Sequence, residues 1–186
     1  MSRATMRAAL VEYLRGGCLG PGASVPGVTK VYSAQPVFID GSVFKLYQNL
    51  GSGSVLFLHF PDKGESRAAD PAASVSTEVV GWKQVDYQVA VVVLYQYLIK
   101  TGSQAADLDG DEWVEPLDAT LDGLEALLRA DPTAGTGPDG DGSGDVFEMA
   151  QSPGDLTLPQ DLPRRGPGGI QSWQAIHLTA TEMIRA

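Results

Sequence analysis

The chain has 186 residues, 43% of them hydrophobic, with a formal net charge of −10 and a single cysteine. That suits one domain with a real core and long insertions, and it excludes an internal disulfide and any cysteine-based zinc cluster. No apolar run is long enough to span a bilayer, and Met1 to Gly17 lacks a signal peptide's apolar segment and cleavage site, so the chain reads as a soluble cytoplasmic product.

The charge is unevenly placed. Between Thr101 and Pro163 fifteen acids stand against Arg129 alone, a net of −14 that leaves +4 for the rest. Groove binding to nucleic acid needs a basic stripe, and none is present. The acidic segment reads first as a solvated, self-repelling face, and second as a surface past which DNA slides without sticking.

In chain order, Ser2 to Gly16 has the spacing of an amphipathic helix. Met6, Ala9, Leu10, Tyr13 and Leu14 form its stripe, Ser2 caps its start and Gly16-Gly17 stops it. A Pro/Gly turn region from Gly20 to Gly27 leads into a short strand at Val28 to Tyr32. The apolar piece Pro36-Val37-Phe38-Ile39 precedes the tight-turn dipeptide Asp40-Gly41, and Val43 to Asn49 follows as a strand. Gly51-Ser52-Gly53 turns the chain into Ser54 to Phe60, where unbroken VLFLHF predicts a strand covered on both faces. Pro61 to Val79 is a polar loop carrying Lys63, Glu65, Arg67 and Asp70, and segments of this kind are functional or disordered.

Gly81 to Ile99 dominates the pattern. Val85, Tyr87, Val89, Val91, Val93, Tyr95, Tyr97 and Ile99 occupy the odd positions. Gln84, Asp86, Gln88 and Gln96 occupy even ones, and Ala90, Val92 and Leu94 break the alternation. Period 2 with β-branched and aromatic residues means a strand. About seventeen residues at ~3.3 Å each would span roughly 55 Å, three times a typical strand. Such a strand bends, carries a bulge, or finds backbone partners in another subunit.

Thr101 to Glu115 reads as acidic loop. Pro116 then opens a helix whose Leu117, Leu121, Leu124, Leu127 and Leu128 repeat up to Arg129, with Ala130-Asp131-Pro132 ending it. A Gly/Asp/Pro tract, an island strand at Asp145 to Gln151 and a second Pro/Gly-rich loop lead to a final strand at Ser172 to Ile184. The fold class is α+β: a largely antiparallel sheet with two amphipathic helices packed on one face, a single domain over 1–186 with long loops at 61–79 and 132–171. Leu10, Leu14, Phe57, Val89, Val91, Leu121 and Leu124 are expected in its core.

Catalytic chemistry has little to stand on. His59 sits inside VLFLHF as a core or interface histidine, and His177 falls on the polar face of the last strand. There is no nucleophile elbow or phosphate loop, and Gly51 and Gly53 lack the third glycine of GxGxxG. Asp139, Asp141, Ser143 and Asp145 have the spacing of the start of a calcium loop. The closing twelfth position is Ala150, however, so no metal or cofactor is assigned, and a flexible acidic loop is the plainer reading. Asp107, Asp109 and Asp111 repeat the spacing, with Glu112 where glycine is required.

With these parts placed, the chain resembles the tail terminator proteins of long-tailed (siphovirus-type) bacteriophages, in the form found in phages of actinobacteria. The resemblance rests on an N-terminal helix before a VPGV turn (Val25 to Val28) and the Gly-rich turn into an apolar strand (Gly51 to Phe60). GESR (Gly64 to Arg67), GWKQVDYQVAVVV (Gly81 to Val93), LLRADPTAG (Leu127 to Gly135) and ATEMIRA (Ala180 to Ala186) complete it. It implies a non-enzymatic virion protein assembled in the host cytoplasm. Its homo-oligomeric ring, a hexamer, ends polymerisation of the tail tube protein and offers a docking face to the head-closure protein, with DNA passing through the lumen unbound and no membrane involved. Lys63, Glu65, Arg67 and Asp70, with Trp82, Tyr87, Tyr95 and Tyr97 of the long strand, are the interface candidates. The alternatives are a head-closure or other neck protein and, in a different class, a calcium-stabilised binding module.

Overall fold

The computed structural model describes residues 3–36, 51–61, 63–68, 82–99, 110–135, 147–149, 164–166 and 169–185. The strand expected at Val43 to Asn49, and Asp139, Asp141, Ser143 and Asp145, lie outside these residues.

Helix α1 covers Arg3–Leu19 and buries Met6, Leu10, Val11, Leu14 and Cys18. It runs through Gly16-Gly17 instead of stopping there. Glycine costs a helix roughly 1 kcal/mol relative to alanine, but any Cβ at Gly17 would collide with the side chain of Leu127. Close approach of the two helices therefore prevails over local propensity, and the extra turn buries Cys18.

Strand β1 (Val28–Tyr32) lies parallel to β2 (Gly53–His59), the one parallel pairing among the described strands. The expected loop after β2 contains a strand, β3 (Lys63–Ala68). Strand β4 (Trp82–Leu98) is the long one, and it bonds antiparallel to β7 (Gly169–Arg185) in unbroken register from Trp82↔Arg185 to Leu98↔Gly169. Its other edge is shared: β3 pairs with Trp82 to Tyr87 and β2 with Ala90 to Gln96. The short strands β5 (Phe147–Met149) and β6 (Arg164–Gly166) lie on β7's far edge. The sheet order is β1-β2-β4-β7-β5.

Of the options left open for so long a strand, backbone partners in another subunit are not required here. A second seventeen-residue strand matches its whole length on one side, and two shorter strands in relay cover nearly all of the other. Most of its backbone groups therefore pair within the chain, as buried main-chain groups require.

Helix α2 spans Gly110–Ala130 and begins well before Pro116, which lies inside it. Proline removes a ladder donor. Here the turn before it gains an outside bond, because the Tyr95 hydroxyl donates to the main-chain oxygen of Trp113 at 3.0 Å. Leu117, Leu121, Leu124 and Leu128 of α2 share one core with α1 and with Leu56, Leu58, Val85, Tyr87, Val89, Val91, Val93, Tyr95, Ile176, Leu178 and Ala180. Both helices thus cover one face of the sheet, and the fold is α+β.

The residues that broke the alternation form a second cluster on the opposite face. Ala90, Val92 and Leu94 pack there with Val55, Phe57 and Ala175. Phe57 belongs to this cluster, not beneath the helices; the other expected core residues lie on the helix side. Strand β2 is buried on both faces from Gly53 to Leu58, which explains its unbroken apolar run.

Candidate functional site

Among the described residues, the sheet face opposite the helices carries an organised set of polar side chains. Alternation along β4 puts Gln84, Asp86 and Gln88 on this face, and the β4–β7 register sets Thr181 opposite Asp86 and Thr179 opposite Gln88. The half-buried Asp86 carboxylate accepts from Thr181 Oγ1 at 2.8 Å and from Gln84 Nε2 at 3.0 and 3.1 Å. Thr179 Oγ1 donates more distantly to Gln88 Oε1, at 3.4 Å. The next row along the sheet is His59–Ala90–His177.

Beyond that row lies the apolar cluster. At its rim stands Trp173, which is exposed and meets Phe57 edge-to-face, with ring centroids 6.0 Å apart and an interplanar angle of 85°. Gln171 Nε2 donates to the buried Gln96 Oε1 at the far end, at 3.4 Å. The face therefore runs from a hydrogen-bonded polar platform, through a histidine row, to an aromatic-rimmed apolar centre. Chemically it offers amides, hydroxyls and a compensated carboxylate, all suited to recognition. Among the described residues, no three histidine, cysteine, aspartate or glutamate side chains gather to hold a metal ion. No described helix is long and apolar enough to cross a membrane.

The interface candidates separate. Tyr87 and Tyr95 are core residues, each only 2% exposed. Tyr87 OH lies 3.4 Å from Glu182 Oε2, and Tyr95 anchors α2, with burial pushing its phenol up to about 12 and Tyr97 adding to the rise. Both answer to the helix-side core, so neither is available for docking. Tyr97 is half-buried, its hydroxyl 3.4 Å from Glu112 Oε2. Lys63, Glu65 and Arg67 lie in β3, opposite Tyr87, Val85 and Lys83, and Trp82 opens β4 opposite Ala68 and Arg185. Asp70 lies outside the described residues. Cys18 is buried, and that burial raises its thiol to about 12, which makes it a poor nucleophile.

Sequence reading missed the platform as a unit. The polar faces of β4 and β7 were each visible as alternation, but their joining at Asp86–Thr181 depends on a register that only pairing supplies.

The motifs set far apart in the chain also meet. The VPGV turn packs on α2, where Thr120 Oγ1 donates to Pro26 O at 3.0 Å and Gly123 leaves room for Val25 and Pro26. The segments holding GESR and ATEMIRA flank the first residues of GWKQVDYQVAVVV, as β3 and the end of β7 on either side of β4. Scans of the chain against protein-family models and against curated proteins return no match.

Proposed function

We propose that this chain is a virion structural subunit of the tail-terminator type. On this reading its copies close into a hexameric ring that ends the tail tube and receives the head-closure protein, and DNA passes through the ring without specific binding. The observation that carries the reading is the convergence of GESR, GWKQVDYQVAVVV and ATEMIRA on one three-stranded end of the sheet. Motifs of a docking surface need to share a surface, and these do so although more than a hundred residues separate the first from the last.

On this reading the subunit contact does not rest on β4's edges, most of which pair within the chain. It falls instead to side chains of the sheet face and its rim, where Trp173 and Leu98 are exposed. Aromatic and aliphatic anchors within a polar surround are the composition of a protein–protein contact. The exposed carboxylates Glu112, Glu115, Asp118 and Asp122 on α2 contribute to the acidic surface expected of a lumen that repels phosphate.

Negative-stain imaging and light scattering of the purified protein, alone and with tail tube protein, test the reading. The expected result is a six-fold ring, free or at the end of a tube of defined length. A chain that stays monomeric in both settings and leaves tube length unchanged would refute it.

A further inference from the structure

The chain has two histidines, and the fold places both in one row of the sheet. His59 stands opposite Ala90 on β2, and Ala90 stands opposite His177 on β7. Residues directly opposite across a sheet point to the same face, so both imidazoles rise from the face away from the helices, separated by one methyl side chain. Because hydrogen-bonded and non-hydrogen-bonded pairs alternate about a central antiparallel strand, the two Cα atoms stand about 10 Å apart. His59 is exposed and His177 part-exposed, so solvent reaches both histidines, while Ala90 between them is buried.

We propose that His59 and His177 together bind one divalent transition-metal ion above Ala90. Two rings turned toward each other across a single alanine can close on one ion with metal–nitrogen bonds of ~2.0–2.1 Å. A bulkier residue at position 90 would fill the space between them. Imidazole pairs select the copper, nickel and zinc end of the divalent series over magnesium and calcium.

The neighbouring rows favour this. Gln88–Thr179 on one side is neutral and oxygen-bearing, and Phe57–Val92–Ala175 on the other is apolar, so neither carries a cation to repel the ion. With two protein ligands, the remaining coordination positions are filled by water. This site is distinct from the acidic calcium-like spacing at Asp139 to Asp145, and it does not depend on ring formation.

The test uses tag-free full-length protein and Cu²⁺ alone. Calorimetry is expected to show one ion per chain, and electron paramagnetic resonance a hyperfine pattern of two equivalent nitrogens. His59→Asn and His177→Asn should each weaken binding by about tenfold or more, since each removes half of the protein's ligands. Retained affinity in either variant, a one-nitrogen spectrum, or one ion shared by two chains would each overturn the proposal. The wild-type spectrum decides the matter without the variants, so a variant that fails to fold leaves the test intact.

Discussion

The hydroxyl of Tyr13 donates to the main-chain oxygen of Leu127 at 2.7 Å, tying the middle of α1 to the last turns of α2. Helix C-terminal carbonyls lack partners within their own helix, and here the neighbouring helix supplies one. Tyr13→Phe keeps the ring and removes only the donor. It is expected to cost roughly 0.5–1.5 kcal/mol in denaturant unfolding. A cost near zero would mean that water replaces the hydroxyl.

Directly after that contact, Asp131 turns the chain. Its carboxylate accepts from Thr133 N at 2.9 Å, Thr133 Oγ1 at 2.7 Å and Gly135 N at 2.7 Å. Burial pushes its pKa up, but the bonds from Thr133 and Gly135 outweigh burial and leave it lowered. The unfolded chain therefore takes up this proton first as pH falls. The stability it adds is complete above the unfolded value of 3.8 and disappears as pH drops through the lower folded value. Asp131→Asn is expected to flatten the acid limb of the stability profile below about pH 4, measured by urea unfolding at stepped pH. An unchanged limb would show that the turn tolerates a protonated Asp131.

At high pH the signs reverse. Burial raises both Cys18, from 9.0 to about 12, and Tyr95, from 10.0 to about 12. Both hold their protons more tightly when folded, so the stability they add is complete below their unfolded values and is lost as pH climbs toward 12. Tyr95→Phe is expected to make the alkaline decline shallower above pH 10.0. The native thiol should also react with a disulfide reagent only as fast as the protein opens. Rapid labelling under native conditions would contradict the burial of Cys18.

Leu124 is fully buried between α2 and the sheet. Leu124→Ala should cost roughly 2–5 kcal/mol. A loss below about 1 kcal/mol would mean that the site collapses around the smaller side chain or that the helix face is not packed.

Deleting Lys63 to Ser74 would leave folding intact if the segment were only a loop. Because β3 bonds to Trp82 through Tyr87, the deletion is now expected to lower stability and to speed amide exchange along the first residues of β4. Undisturbed exchange at Val85 and Tyr87 would show that β7 alone holds this part of the strand.

Gly53 starts β2 at φ +144°, and a Cβ there would meet the Gly27 oxygen, to which Ser54 N donates at 2.8 Å. Gly53→Ala should therefore destabilise by more than the usual 0.4–1 kcal/mol scale of glycine substitutions, measured by thermal unfolding against wild type. A neutral or stabilising outcome would mean that the β1–β2 junction shifts to accommodate it.

The sequence by itself determined the element types wherever apolar periodicity was long. Strand β4 emerged from period 2, α2 from its leucine repeat, and β2's burial on both faces from VLFLHF. These signals are local, because a side chain's partition between core and water repeats with the backbone's own period. Where local signals conflicted with packing, packing prevailed: α1 passes through Gly16-Gly17 because Leu127 needs that space, and α2 runs through Pro116 with Tyr95 bonding to the turn before it. Strand β3 was invisible because its charged sequence KGESRA has no apolar alternation, and its pairing rests on β4's open edge. Register was the decisive quantity that no single segment encodes. It paired most of both edges of β4 within the chain, joined Asp86 to Thr181, and brought His59 and His177, 118 positions apart in the sequence, to either side of Ala90. A strand's pattern states which face each residue takes, but only its hydrogen-bonded neighbours state what stands beside it.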